Sequence, residues 1–413
     1  MLNLQGSSVK DRIFKGIGSS VLSNAISLLQ SILLVPFFIN AWGVNLYGHW
    51  LVITAAIVYL GHCDFGMQSY LANLLAIAHA KKDEKSFVSR MSEGVSLFTF
   101  FCLALLFILI AILVLLGSIE VPGFGRPLYY WEAMVLGTLG FSHLIAIPSG
   151  VYASGYQATG HFYRGQMIGN LIRLLGLMGS IFVLWLAFQP VDYAAWHLMV
   201  GVVGMLVPVI DLPRRVPILR KIKINIINAN KGKMHLSGSI RFWVMSIAGV
   251  LKFQGVLLIM ASLVSPVLVA LFATHKTLAN IAGCMAQLIQ GPITPEMSFL
   301  WAQKRFSDLI RIQSLILKSI IFSSGIMAVF LWVLAPLVYS GWTGGELRLE
   351  FNLLAIFLAQ AVLMASGSAL VFGMLATNQH RQLTLWLVAN AIITLGLAGL
   401  WVGSYGVKGG ATA

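Results

Sequence analysis

The amino-acid sequence predicts an all-α polytopic membrane protein with about a dozen hydrophobic helices. Of its 413 residues, 58% are hydrophobic and only 10% are charged, whereas a soluble domain carries about 25% charged residues. The apolar residues form blocks longer than the roughly 20 residues that cross a hydrocarbon core. These blocks lack the alternation of membrane β-strands. Helices, which satisfy their own backbone hydrogen bonds, are therefore the structure that a bilayer allows here.

Eleven helices of spanning length can be placed along the chain. We expect them at about residues 15–41, 46–78, 93–117, 131–157, 165–188, 192–212, 238–264, 267–290, 312–340, 350–376 and 382–403. The second is too long for one straight span, and Gly61 and Gly66 predict a bend there because glycine loosens helices. The polar start leads directly into the first span, so we expect no cleaved signal peptide.

The positions of lysine and arginine predict the orientation in the membrane. Most of the 27 basic residues fall in the N-terminal segment and in the connections from even-numbered to odd-numbered helices. The opposite connections hold only Arg126, Arg348 and Lys408. Because cytoplasmic loops are enriched in basic residues, we expect the N-terminus to be cytoplasmic. The net charge of +14 then reflects topology, and no nucleic-acid partner is expected.

The chain is predicted to consist of two lobes joined by a basic linker. We place an N-terminal lobe of six helices at 1–212, the cytoplasmic linker at 213–237 and a C-terminal lobe at 238–413. The linker either lies solvated against anionic lipid headgroups or forms a specific partner site. Sequence around Asn170 recurs around Asn390, which predicts two six-helix lobes related by a pseudo-twofold axis along the membrane normal. The same repeat predicts that the sequence stops within its twelfth helix, as a truncated product would.

Three basic residues are predicted to lie deep in the membrane: Arg173, Lys252 and Lys276. A charge at mid-bilayer costs at least about 2.5–3.5 kcal/mol on insertion scales, so it normally faces a partner or a wet cavity. Interhelical salt bridges are the simpler alternative, but Asp64 is the one comparably deep carboxylate. We therefore expect a cationic cavity. Lys318 lies closer to a helix end, where a long side chain reaches the interface.

Polar side chains at helical spacing accompany these cations. The first helix carries such a stripe that includes Asn24 and Gln30, and Asn280 and Gln287 share the face of Lys276. Hydrogen bonds between packed helices would explain the same residues. Lys276 is harder to explain in this way because a cation must also be hydrated or paired. His275 points about 100° away from it, which favours a packing role.

The sequence favours transport over catalysis. It contains no metalloprotease motif, nucleophile elbow or phosphate-binding loop, so no cofactor or metal is expected. The cysteines Cys63, Cys102 and Cys284 are isolated in apolar segments, as small buried residues are. The predicted exterior loops are too short to hold the sugar donor of a membrane glycosyltransferase.

The sequence resembles Wzx-type polysaccharide flippases of the multidrug/oligosaccharidyl-lipid/polysaccharide (MOP) exporter superfamily. The resemblance rests on the first helix with its G-x-x-x-Y-G-x-W ending (43–50), on Asp64-Phe65-Gly66, on the segment from Gly155 to Asn170 and on the terminal YGVKGGATA. It implies the two-lobed fold shared with the multidrug exporters known as MATE transporters. It also implies a place in the bacterial inner membrane and alternating access.

The resemblance also implies a substrate and partners. The substrate would be an undecaprenyl-pyrophosphate-linked oligosaccharide destined for surface polysaccharide, and membrane lipids and the polysaccharide polymerase machinery would be partners. The three deep cations would attract the pyrophosphate, and the polar side chains named above would bind sugar hydroxyls. The alternatives are an ion-coupled drug exporter of the same fold, a membrane enzyme of polysaccharide assembly, and an inactive fragment.

Overall fold

The computed structural model describes residues 9–119, 127–222, 239–240, 243–376 and 380–412, some of them, such as 291–296, by backbone alone. Helices and short turns make up this part of the chain, and it contains no strand. Ten of its helices are long and apolar enough to cross a membrane. The chain is therefore an all-α, multi-pass membrane protein, which confirms the predicted fold class. Arg126 and most of the predicted linker lie outside the described residues.

The described residues include fifteen helical elements. They are α1 (Val9–Gly61), α2 (Met67–Ala80), α3 (Glu84–Leu116), α4 (Tyr130–Ala146), α5 (Ser149–Ala158), α6 (Phe162–Trp185), α7 (Pro190–Arg215), a 3₁₀-helix (Pro217–Lys221), a π-helix (Leu251–Gly255), α8 (Val256–Leu263), α9 (Pro266–Ala302), α10 (Phe306–Trp342), α11 (Phe351–Ala376), α12 (His380–Tyr405) and α13 (Val407–Thr412). The π-helix and α8 belong to the candidate span Trp243–Leu263.

Glycine and proline interrupt the helices where the backbone requires it. Gly43 has φ 72°, outside the helical range. It kinks α1 and divides it into two helical segments. The predicted bend near Gly61 and Gly66 is confirmed, since α1 ends at Gly61 and Gly66 adopts φ 68° before α2. The span expected over 131–157 is found as Tyr130–Ala158, but it is interrupted, since α4 ends at Ala146 and α5 begins at Ser149, after Pro148. Proline removes a backbone donor and crowds the preceding turn.

The third helix begins earlier than predicted, at Glu84 rather than near residue 93. Asp83 precedes it, and its carboxylate accepts a hydrogen bond from the Ser86 backbone N–H at 3.0 Å. This N-cap satisfies one of the free donors of the first turn. The Ser86 hydrogen bonds also hold the pKa of the exposed Asp83 carboxyl below its ordinary value. Hydropathy alone places the start too late because the first two turns of α3 are polar.

The chain divides into two compact units, Met1–Ser27 with Ile53–Val250, and Leu28–Val52 with Leu251–Ala413. The first unit has an apolar core drawn from α2, α3, α5, the end of α7 and the 3₁₀-helix, with Leu75, Met91 and Leu212 fully buried. In the second, α9, α10 and α11 pack around Ile316, Ile320 and Ala369. The predicted lobe boundaries and the pseudo-twofold axis stay predictions.

Candidate functional site

Two of the predicted deep cations, Lys252 and Lys276, lie together in the second unit. Lys252 is near the middle of the span Trp243–Leu263, and Lys276 is near the middle of the span Pro266–Gln287. Lys252 belongs to the five-residue π-helix Leu251–Gly255. Such short π-helical segments inside α-helices occur frequently at functional sites. Both residues are half-buried.

Soft, polarisable groups surround the two ammonium groups. Lys276 Nζ lies over the Phe253 ring at 5.0 Å from its centroid and over the Phe272 ring at 5.7 Å. Lys252 Nζ approaches the Met364 sulfur at 3.2 Å. Cation–π contacts contribute about 0.5–2 kcal/mol each, depending on desolvation. The positive charge of Lys252 also acts directly on Lys276, so the pair retains a repulsion that an anion would relieve.

Within the described part of the chain, neither lysine forms an ion pair with a carboxylate. The second unit's described acidic side chains are Asp308, Glu346 and Glu350, and each lies at or beside a helix end. An ammonium at membrane depth without a carboxylate is expensive unless water or an anion reaches it. The arrangement therefore forms a cationic site with aromatic walls.

The polar side chains predicted around Lys276 extend along the same helix. Asn280 lies one turn beyond Lys276 on α9 and is exposed, and Gln287, two turns further, is exposed as well. Gln30, in the part of α1 that belongs to the second unit, is half-buried. These amides are free to take part in hydrogen bonding with a ligand at the protein surface, and their role in substrate binding stays a prediction.

Arg173 and Asn24 belong to the first unit. Arg173, on α6, donates to the Ser23 hydroxyl of α1 and is exposed. Asn24 is also exposed, whereas Asn170 is almost fully buried and donates to the Ser19 carbonyl oxygen at 3.0 Å. Hydrogen bonding between α1 and α6 thus accounts for part of the polar stripe. That Arg173 shares one cavity with the two lysines stays a prediction.

Asp64 lies in the five-residue interruption between α1 and α2, also in the first unit. One of its carboxylate oxygens accepts the Gly66 backbone N–H at 3.1 Å, which stabilises the turn. The neighbouring His62 contacts the Ser246 hydroxyl at 2.7 Å, and the Trp243 indole donates to the His62 carbonyl oxygen at 2.9 Å. Asp64 is half-buried. Its position fits a structural role in the turn, and a role in substrate binding stays a prediction.

Sequence reasoning missed the aromatic walls of the cationic site. Phe272 precedes Lys276 by four residues on α9, a spacing that places two side chains on the same helix face. That signal was available in the sequence. Phe253 and Met364 come from other segments, and nothing local in the sequence connects them with Lys276.

Comparisons with known proteins agree with this architecture. No protein-family model and no curated protein matches the sequence. Among solved structures, an inward-facing multidrug-resistance MATE transporter of the MOP superfamily superimposes with a TM-score of 0.70 at 15% identity, covering 100% of this chain and 91% of that one. The lipid II flippase MurJ, in an inward closed conformation, matches with a TM-score of 0.66 at 11% identity, over 95% of this chain and 82% of that one.

A third match is a MOP-superfamily transporter from Pyrococcus furiosus that is described as having a binding pocket of reverse polarity. Its TM-score is 0.56 at 14% identity, over 97% of this chain and 89% of that one. Identities this low establish the fold alone. The chain has the MOP-transporter fold.

Proposed function

We propose that this protein translocates an undecaprenyl-pyrophosphate-linked oligosaccharide across the bacterial inner membrane by alternating access, as Wzx-type flippases do. Lys252 and Lys276 bind the pyrophosphate, the exposed amides along α9 contact the sugar, and the polyprenyl chain stays in lipid. The proposal includes a cytoplasmic N-terminus and the use of the product in surface polysaccharide synthesis. The observation that carries it is the lysine pair at membrane depth, without a carboxylate partner among the described residues.

The chemistry of the site supports an anionic head group. A pyrophosphate linked at both ends carries two negative charges, which match two ammonium groups that repel each other in its absence. The phenylalanine rings lower the local dielectric constant, and this strengthens attraction between opposite charges. Of the solved structures with this fold, the MurJ flippase is named for a lipid substrate, lipid II.

A cation-exporting drug transporter is the main alternative, because MATE exporters share the fold. Such a transporter requires carboxylates that face its substrate. In the described part of the second unit, the charges at membrane depth are the two lysines, and the carboxylates lie near helix ends. This charge distribution favours an anionic substrate over a cationic one.

Alanine substitutions test the proposal. Lys252→Ala and Lys276→Ala should each lower the affinity for a polyprenyl-pyrophosphate-linked sugar at least tenfold, since a charge-assisted hydrogen bond is worth about 1.5–3 kcal/mol. Binding is measured with purified protein in nanodiscs, and transport by restoration of surface polysaccharide in a flippase-deficient strain. Lys318→Ala is the matched control, because Lys318 is an exposed lysine on α10 of the same unit.

The proposal is supported if Lys252→Ala and Lys276→Ala are expressed normally but lose binding, while the Lys318→Ala control keeps wild-type binding. Wild-type binding and transport by both variants would overturn the cationic-site mechanism.

A further inference from the structure

A fully buried histidine lies next to Lys276 in the chain and links three helical segments of the second unit. His275 has no accessible surface. Its Nδ1 lies 2.8 Å from the Leu271 carbonyl oxygen and 3.0 Å from the Tyr339 hydroxyl of α10. Its Nε2 accepts the backbone N–H of Glu350, just before α11, at 3.0 Å. The imidazole also packs on the Tyr339 ring, with centroids 4.7 Å apart.

These contacts determine where the imidazole proton lies. A ring nitrogen that accepts a backbone N–H carries no proton, so Nε2 is bare and the neutral imidazole holds its proton on Nδ1. The Nδ1–H group then donates to the Leu271 carbonyl oxygen and towards the Tyr339 oxygen. The Tyr339 hydroxyl is left to donate to Thr274 Oγ1, 2.9 Å away, and Thr274 donates to the Ala270 carbonyl oxygen. Every donor in this series of hydrogen bonds has an acceptor, and the donors all point from His275 towards the Ala270 carbonyl oxygen.

The network acts on the helical turn that carries the cationic site. Phe272, one wall of the site, contacts the Phe357 ring of α11 edge-on at 4.9 Å. His275 ties the same turn of α9 to the residue before α11, and Tyr339 ties it to α10. Rotation or sliding of α9 would break these contacts, and it would also move Lys276 away from the Phe253 ring. His275 thus fixes the part of α9 from which the Lys276 ammonium projects.

We propose that His275 is a positioning residue for Lys276, and that a proton on its Nε2 breaks the hydrogen bond with the Glu350 backbone N–H and weakens anion binding. This inference rests on the proposed function, because it assigns a regulation to the same site. A protonated Nε2 can no longer accept the Glu350 N–H, so two donors would face each other. The ionisable groups around the ring are the Tyr339 hydroxyl on α10, the Glu350 carboxylate before α11 and Lys276 on its own helix.

The experiment measures affinity against pH in nanodiscs. The probe is a polyprenyl-pyrophosphate-linked monosaccharide, whose two strongly acidic groups keep their charge over this range. Wild-type affinity should fall at least fivefold from about pH 8 to about pH 5.5, the range in which histidine titrates. Further protonation of the lysines would raise anion affinity instead, so the sign of the change distinguishes the two causes.

His275→Gln provides the decisive variant. A glutamine oxygen can accept the Glu350 N–H at the position of Nε2 but takes up no proton in this range. Its affinity should stay within twofold of the wild-type value at pH 8 and should not depend on pH. His275→Ala, which loses the hydrogen bonds of the imidazole, should bind weakly at every pH. His161→Gln, a substitution of a half-buried histidine in the first unit, is the matched control and should keep the wild-type pH dependence.

Hydrogen exchange gives a second measurement that requires no ligand. The Glu350 amide should exchange faster in His275→Ala than in the wild type and His275→Gln proteins, after correction for the intrinsic effect of pH. An unchanged pH dependence of binding in His275→Gln, or wild-type affinity in His275→Ala, would overturn the inference. If either of these results occurs while Lys276→Ala still abolishes binding in the same assay, only the positioning role of His275 is rejected. Wild-type binding by Lys276→Ala would instead reject the proposed function.

Discussion

At the scale of single residues, the charged groups of the helices fall into two kinds. One kind has partners throughout: Tyr156, Arg164 and Asp211 join α5, α6 and α7 of the first unit. Arg164 forms a two-pronged ion pair with Asp211, at 2.8 Å from Nε and 2.6 Å from a terminal nitrogen, and the Tyr156 hydroxyl donates to the same carboxylate at 2.6 Å. The other kind, represented by Lys252 and Lys276, has no described carboxylate partner. The first kind stabilises the fold, and the second is available to a ligand.

We expect substitutions in the Arg164 cluster to affect stability more than binding. Asp211→Asn leaves the arginine without its counter-charge, and because the Arg164 side chain is 41% exposed, solvent screening limits the cost to about 1–2 kcal/mol. Tyr156→Phe removes one hydrogen bond and should cost about 1 kcal/mol. Thermal unfolding in detergent measures both. Full wild-type stability of Asp211→Asn would contradict the assignment, and ligand affinity should stay within twofold in each variant.

At the scale of helices, close contacts between neighbours are made possible by glycine. On α6, Gly179 faces the Trp196 ring of α7 so closely that an added Cβ would overlap it, while Gly169 on the same helix faces open space. The Trp196 indole also donates to the Gly176 carbonyl oxygen at 3.2 Å. The two helices therefore approach through a small-residue surface, as packed membrane helices commonly do.

Gly179→Ala should destabilise the protein by about 1–3 kcal/mol, because the ring or the helix must shift to admit the methyl group. Gly169→Ala on the same helix is the control and should be neutral or slightly stabilising, since alanine is the better helix former. Unfolding temperature and yield of monodisperse protein are the measurements. Equal behaviour of the two variants would show that α6 and α7 do not pack as described.

The helix pattern shows which local features can be inferred from sequence. The break near Gly61 and Gly66 was predictable because glycine and an excessive length coincide there. The break at Pro148 was missed, although proline has a direct steric effect. The π-helix around Lys252 has no sequence signal that we recognised, because it depends on how the surrounding helices pack. The early start of α3 followed from the capping of a polar turn, which hydropathy does not detect.

At the scale of the whole molecule, composition and length determine the class of protein. The scarcity of charge and the apolar blocks suffice to predict a helical multi-pass protein. Lys252 and Lys276 lie near the middle of consecutive spans, as the sequence predicts, and their role in substrate binding stays a prediction. Their aromatic walls and the His275 network depend on contacts between segments far apart in sequence. Periodicity along one helix carries no information about such contacts.

The predicted orientation can be tested with reporter fusions. Green fluorescent protein fused after Lys82 or Lys304 should fluoresce, because these turns carry the basic residues of cytoplasmic connections. Alkaline phosphatase fused after Gln189 or Gly345 should be active, because those turns would face the opposite side. The reverse pattern at any of these four sites would contradict a cytoplasmic N-terminus.

The helices α9 and α10 each contain 37 residues and are joined by the turn at 303–305. At 1.5 Å per residue each measures about 55 Å, although only about 30 Å is needed to cross hydrocarbon. Apolar contacts involving Met297, Leu300 and Leu309 hold the two together near the turn. Both helices are therefore longer than the hydrocarbon core is thick, and a fiducial domain inserted in the turn at 303–305 would let electron microscopists align images of the protein.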